Sequence, residues 1–146
     1  MMKLSNPNGK VSEEDIQKFE SINEFVLPQV YRAFLKDTNG GETEPSTFFI
    51  SENEGASVLN SFFGLGDIYE NLQDFIEIYD ERLPDGFIPI GSDPGGNAIC
   101  VSVNKDNSDN IYFWDHEEET ENPNEMSNVF FLANDIEEFI NNFYED

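Results

Sequence analysis

The chain has 146 residues and a formal net charge of -24, from 31 Asp and Glu against 7 Lys and Arg. A field of that sign repels polyanions, which argues against nucleic acid and anionic membrane as partners and favours encounter with a basic protein. It is 38% hydrophobic and 14% aromatic, with 14 Phe, which argues against a disordered chain and supplies enough apolar material for one core.

Residues 1–10 read as a flexible N-terminal arm with a turn at Asn6-Pro7-Asn8-Gly9, and residues 11–146 as a single domain. The start of the chain lacks an apolar run of signal-peptide length. No stretch approaches the roughly 20 apolar residues of a membrane span. A cytoplasmic location is expected. Ser12 suits a helix N-cap, with Asp15 three residues on and Val11 and Ile16 at the staple positions; Ile16, Phe19 and Ile22 then recur at helical spacing. Pro28 suits the first position of a second helix. Val30, Tyr31, Phe34 and Leu35 share its apolar face, and Asn39-Gly40-Gly41 ends it.

Thr47 to Ile50 reads as a strand. Asp67 is the expected cap of a third helix, whose stripe is Ile68, Leu72, Phe75, Ile76 and Tyr79; Phe75 lies at its centre and should be buried. Leu83-Pro84-Asp85-Gly86 is a turn. Strands at Phe87 to Ile90, Ala98 to Val103 and Ile111 to Trp114, separated by polar turns, spell an antiparallel meander. His116 to Asn128 is an acidic loop without periodicity. Val129 to Ala133 returns to the core. Asn134 is the expected cap of a last helix carrying Ile136, Phe139, Ile140 and Phe143. This order predicts an α+β fold, an antiparallel sheet with helices packed against it.

The residue types narrow the chemistry. Asp93, Asn97, Asp115, His116 and Glu117 converge if the meander brings its turn beside the strand end, and carboxylates with one imidazole suit a divalent metal. No paired-His spacing or Ca²⁺-loop pattern supports that, so no metal and no cofactor is expected. Asp93-Pro94-Gly95-Gly96 also serves a turn for backbone reasons alone. The single cysteine, Cys100, excludes an intrachain disulfide. It sits in the apolar run Ala98-Ile99-Cys100-Val101, which makes it a buried small hydrophobe. No Gly-x-Ser-x-Gly elbow is present, and the glycines of 91–96 lead into a strand rather than a helix, which rules out a phosphate loop. The sequence is read as that of a non-enzyme.

A set of short motifs falls in a recognisable order: Leu27-Pro28, Tyr31-Arg32, Phe34-Leu35, Asn39-Gly40-Gly41, Phe62, Gly64-Leu65, Leu83-Pro84, Ile88-Pro89-Ile90-Gly91, Asp93, Gly95-Gly96, Ile99-Cys100, Ile111-Tyr112, Trp114-Asp115-His116-Glu117 and Ala133. Over about Val11 to Phe143 this resembles the SUKH superfamily, which includes fungal cell-wall-synthesis regulators and bacterial immunity proteins of polymorphic toxin systems. The resemblance implies a protein-binding module without a catalytic centre. Such a module would neutralise a toxin, often a nuclease, by occluding its functional surface. A regulatory or scaffolding domain for an endogenous protein is the alternative, and a metal-dependent enzyme a third reading. Members often carry an acidic residue where this chain has Asn97.

The expected partner is a protein, a toxin with a basic contact face. The candidate contact residues are Asp93, Asn97, Trp114, Asp115, His116, Glu117, Glu118 and Glu119. Strand alternation alone does not fix the face of Trp114, an aromatic type enriched at contact hot spots; a core position is favoured over an exposed anchor.

Overall fold

The computed structural model describes residues 3–5 and 9–145. Much of the expected arm, including the turn at 6–8, lies outside the described residues; Lys3–Ser5 within it forms β1, paired antiparallel with β2 (Glu42–Glu44). A second two-stranded ladder joins β3 (Thr47–Ser51) to β4 (Gly55–Val58). The main sheet is antiparallel with strand order β5-β6-β7-β8-β9: Ser61–Phe62, Phe87–Ser92, Ala98–Ser102, Ile111–Trp114 and Val129–Ala133. Four helices accompany it: α1 (Glu13–Asn23), α2 (Gln29–Thr38), α3 (Leu72–Ile78) and α4 (Ile136–Asn141). The α+β reading holds, and the expected meander is β6-β7-β8.

Period-two alternation divides the core between the two faces of this sheet. Ile88, Ile90, Ile99, Val101, Ile111 and Phe113 point to one face, where they meet α1, α2 and α4 through Ile16, Phe19, Tyr31, Leu35, Ile136 and Phe139. Ala98, Cys100 and Trp114 point the other way, against Tyr79, Leu83 and Phe87. Phe takes much of the place of Leu and Val: Phe48 packs edge-on against Phe139 at 5.2 Å and lies 6.1 Å from Phe113. Every residue of β7 is buried, which identifies the centre of the sheet.

Local chemistry sets the helix ends. Ser12 caps α1 by accepting from the Asp15 amide at 3.1 Å, as its spacing predicts. Ile22, expected on the buried stripe, is 62% exposed instead, one residue before the helix ends. Pro28 is the N-cap of α2 rather than its first residue and has no capping side chain. Asp109, in the β7–β8 turn, takes over: its two carboxylate oxygens accept from the Val30 and Tyr31 amides, both at 3.0 Å. A carboxylate on the positive end of the helix is the favourable polarity. Asn39 and Gly40 end α2 with φ of 51° and 84°. A Cβ on Gly40 would lie 2.6 Å from the Phe62 carbonyl, so only glycine lets α2 close onto β5.

Two caps differ from the sequence reading. The third helix starts at Asn71, whose side chain accepts from the Gln73 and Asp74 amides, not at Asp67. Residues 64–71 spend their backbone groups otherwise. Gly64 donates to Glu70 at 3.1 Å and accepts from Leu72 at 2.8 Å, and Asn39 holds Leu65 through both its amide and its carbonyl. Ile68 therefore sits in a loop, and only Leu72 and Tyr79 of the stripe are fully buried. Phe75, expected to be buried, is partly exposed and stacks on Phe63 at 3.8 Å. The cap of α4 is Asp135, accepting from Glu138, one residue beyond Asn134.

Candidate partner-binding cleft

Strand register builds the site. The β6–β7 pairing ends at Ser92↔Ala98 and the β7–β8 pairing at Ala98↔Trp114, so Asn97 leaves β7 beside the point where Asp115 leaves β8. Asp93 closes the turn between β6 and β7. It is only 5% exposed. One of its oxygens accepts from the Gly95 and Asn97 amides at 3.0 and 2.8 Å, and the other from the Asn97 side chain at 3.0 Å and the Ser57 hydroxyl at 2.7 Å. Four donors satisfy a carboxylate that burial would otherwise penalise. Asn97 then accepts from the His116 amide at 3.0 Å. Gly96 has φ of 85°, and a Cβ there would stand 3.3 Å from His116 Nε2, so the imidazole lies against the turn.

Asp115 is held from several directions. Its carboxylate accepts from the Glu117 amide at 3.0 Å and so caps the single 3-10 turn His116–Glu118. Its amide donates to the Asn128 carbonyl, and the Asn128 side chain, itself 1% exposed, donates back to the Asp115 carbonyl at 2.9 Å. Opposite stands the β3–β4 hairpin with Glu54 near its tip. Glu54 and Asp115 line the space between hairpin and sheet. The neighbouring Asp115 carboxyl, followed by burial and by the charges of Glu118 and Glu117, pushes the Glu54 pKa above the ordinary 4.5. Between hairpin and sheet lies a cleft of about 280 Å³ whose polar lining is Glu54, Ser57, Asp93, Asn97, Asp115 and Glu117, over Ile50 and Phe113. No Lys or Arg lines it.

Cations are distributed unevenly. Five of the seven, Lys3, Lys10, Lys18, Arg32 and Lys36, precede residue 37, and beyond it only Arg82 and Lys105 remain. Arg82 is committed locally. Its guanidinium grips Glu119 with contacts of 2.9 and 3.2 Å and lies 5.1 Å from the Tyr79 ring centre and 5.2 Å from that of Trp114. Arg32, at the other end, pairs with Glu13 at 2.6 Å and Glu20 at 3.2 Å.

Of the eight residues selected from sequence, Asp93, Asn97, Asp115, His116 and Glu117 come together. Glu118 is exposed beside them and adds to the field at Glu54. Glu119 is turned to Arg82, so its charge is largely compensated. Trp114 is 1% exposed and lies in the second core, the position favoured for it; any part it has in a contact surface runs through Arg82. Sequence reasoning missed Glu54, Ser57, Arg82 and Asn128. The first two arrive on a hairpin about 40 residues upstream of the meander turn, and no local pattern marks them. Among the described residues no three His, Cys, Asp or Glu side chains are grouped so as to hold a metal ion. No described helix is long and apolar enough to cross a membrane.

An antiparallel sheet with helices packed against it, and an acidic cleft beside the turn between β6 and β7, defines an α+β domain. The chain belongs to the SMI1 / KNR4 family (SUKH-1), whose sequence model matches residues 10–142. It is similar to the SPbeta prophage-derived uncharacterized protein YokK of Bacillus subtilis (strain 168), being 31% identical over 144 residues, with 87% of this chain and 71% of that protein covered. The resemblance carried by the ordered motifs is thus confirmed over nearly the same span. The family includes immunity proteins and is generally non-enzymatic.

Proposed function

We propose that this domain is a cytoplasmic immunity protein that neutralises a toxin by seating on its functional surface. The observation that carries the reading is the cleft of Glu54, Asp93, Asp115 and Glu117, rimmed by Glu118 and lined by no cation. A basic face, such as the nucleic-acid-binding surface of a nuclease, is the complement of that arrangement. The acidic excess steers encounter, and ions screen it over about 8 Å at physiological strength, so association slows as salt rises. The prophage origin of the Bacillus subtilis relative suits a mobile toxin–immunity cassette. No catalytic step is assigned.

The test is affinity purification from the native host, identification of the bound protein, and expression of that protein with and without this chain. The expected partner is basic on its contacted face, arrests growth alone and is silenced by co-expression. Replacing Glu117 and Glu118 by Gln should slow association more than it speeds dissociation. A bound endogenous protein without toxicity would turn the reading to regulation or scaffolding, and a salt-independent on-rate would remove the steering role of the charge.

A further inference from the structure

β9 is the last strand of the main sheet, and among the described residues no strand pairs with its outer edge. The nearby β3 is bonded instead to β4 and, through Thr47, to Tyr144. Register fixes which backbone groups that edge presents. The Asp115 amide donates to the Asn128 carbonyl at 3.0 Å. Bonded and unbonded pairs alternate along an antiparallel ladder. Trp114↔Val129, Phe113↔Phe130 and Tyr112↔Phe131 follow in register, and the irregularity comes only after them, between Tyr112 and Ile111. Phe130 is therefore bonded to Phe113, and Val129 and Phe131 turn their backbone groups away from β8. The Val129 amide is met by the Met126 carbonyl at 3.2 Å. Phe131, in the middle of the strand, presents both its N–H and its C=O on the open edge.

Edge strands are commonly shielded by charge or proline. Residues 126–134 carry neither, although the whole chain has a net charge of -24. The Phe131 side chain is 50% exposed. It ends an aromatic row on the second face of the sheet, in which Phe87 stacks on Tyr112 at 4.7 Å and Tyr112 meets Phe131 edge-on at 5.9 Å.

We propose that β9 is a self-association edge: two copies pair antiparallel about a two-fold axis at Phe131, whose N–H and C=O exchange hydrogen bonds with those of the same residue in the second copy. The two five-stranded sheets then become one continuous sheet. The edge is self-complementary, as an isologous contact requires. An axis through Phe131 sets Val129 opposite Ala133 and Asn128 opposite Asn134, so no like charges face each other along 126–134. The two Phe131 rings lie on one face as a directly opposed aromatic pair, a stabilising arrangement between strands. A basic partner finds no acidic residue on this strand to complement, whereas a second copy needs none. Charge thus gives the edge to the chain itself and leaves the cleft, which no residue of β9 lines, to the basic partner. The inference rests on the edge alone and not on the immunity reading. Its salt dependence is also opposite. Association brings together two chains of -24 each, so screening strengthens it.

The experiment is sedimentation of the full chain from about 10 μM to about 1 mM, in about 0.05 M and about 0.5 M NaCl, with amide exchange followed by NMR over the same series. A monomer–dimer equilibrium should appear and shift toward dimer at the higher salt. Protection of the Phe131 amide should grow with protein concentration, while that of Phe130, already bonded within the chain, should not. Phe131→Glu places like charges at the axis and should raise the dimer dissociation constant about tenfold or more, with β7 amide protection unchanged as the sign of an intact fold. Should that variant not fold, the wild-type Phe131 amide decides alone. A chain that stays monomeric at about 1 mM in both salts, a concentration at which even weak pairs associate, or a dimer that leaves the Phe131 amide unprotected, would overturn the proposal.

Discussion

Arg82 clasps Glu119 through two parallel contacts, Nη2 to Oε1 at 2.9 Å and Nε to Oε2 at 3.2 Å, while its guanidinium lies against Tyr79 and Trp114. The clasp ties the acidic segment after β8 to the end of α3. Both side chains are about one-third exposed, at 38% and 31%, so the pair contributes little to global stability, about 1 kcal/mol or less. Arg82→Ala should leave the urea midpoint nearly unchanged yet raise backbone mobility at residues 116–119, measured by ¹⁵N relaxation. Arg82→Lys should behave more like Ala than like Arg, because an ammonium lacks the planar fork.

Asp93 is a larger commitment. Replacing it by Ala strips acceptors from the Gly95 and Asn97 amides, the Asn97 side chain and the Ser57 hydroxyl in a buried turn. The cost should be about 3 kcal/mol or more. Asp93→Asn, which retains one acceptor oxygen, should cost clearly less. Urea denaturation of the two variants gives the comparison, and equal midpoints would show that the carboxylate does not organise the turn.

Much of this architecture was legible in the residues. Ser12 with Asp15, the alternation in β7 and β8 and the polar turns between them suffice for the first helix and the meander. They also place Asn97 beside Asp115, because antiparallel register fixes which turn residues become neighbours. The failures share a cause. The start of α3 was misplaced because Ile68 fits a helical stripe by spacing, whereas Asn39 and Gly64 claim the backbone of that loop from elsewhere in the chain. Pro28 lacks a local cap because Asp109 supplies one across the fold. Gly55–Val58 gave no strand signal, being small and alternately exposed, and with it went Glu54 and Ser57, the polar groups of the cleft's hairpin wall. Tertiary partners decide what spacing alone cannot.

The stacked pair Phe63 and Phe75, with rings 5° from parallel, separates burial from stacking. Phe63 is 1% exposed, and Phe63→Ala should cost about 3–5 kcal/mol from lost transfer energy and a residual cavity. Phe75 keeps one side toward solvent, so Phe75→Ala should cost less, about 2 kcal/mol. Urea unfolding with unchanged slope should order the variants that way; the reverse order would mean that Phe75 carries the contact.

Glu13 supplies a pH dependence on the acid side. Hydrogen bonding to Arg32, with help from Lys36, lowers its pKa from 4.5 to about 2. A carboxyl depressed by folding lends stability that is present above its unfolded value and lost as pH falls through the folded one. The affected window runs from 4.5 down to about 2. Solvent screens this exposed group, so the readout is its titration rather than a free energy. In Arg32→Gln the Glu13 carboxyl should titrate close to 4.5 by NMR; an unchanged midpoint would rule out the ion pair as the cause.

Cys100 occupies the middle of β7, wholly enclosed, and burial raises its thiol pKa well above the usual cysteine range. Its side chain lies on the second face of the sheet, covered by Tyr79, Leu83 and Trp114. A thiol reagent therefore finds its only target when that cover lifts or the sheet itself comes apart. The chain thus carries a native chemical clock: the rate at which Cys100 is labelled counts openings of the second core, in dilute buffer or inside a cell, with no introduced probe.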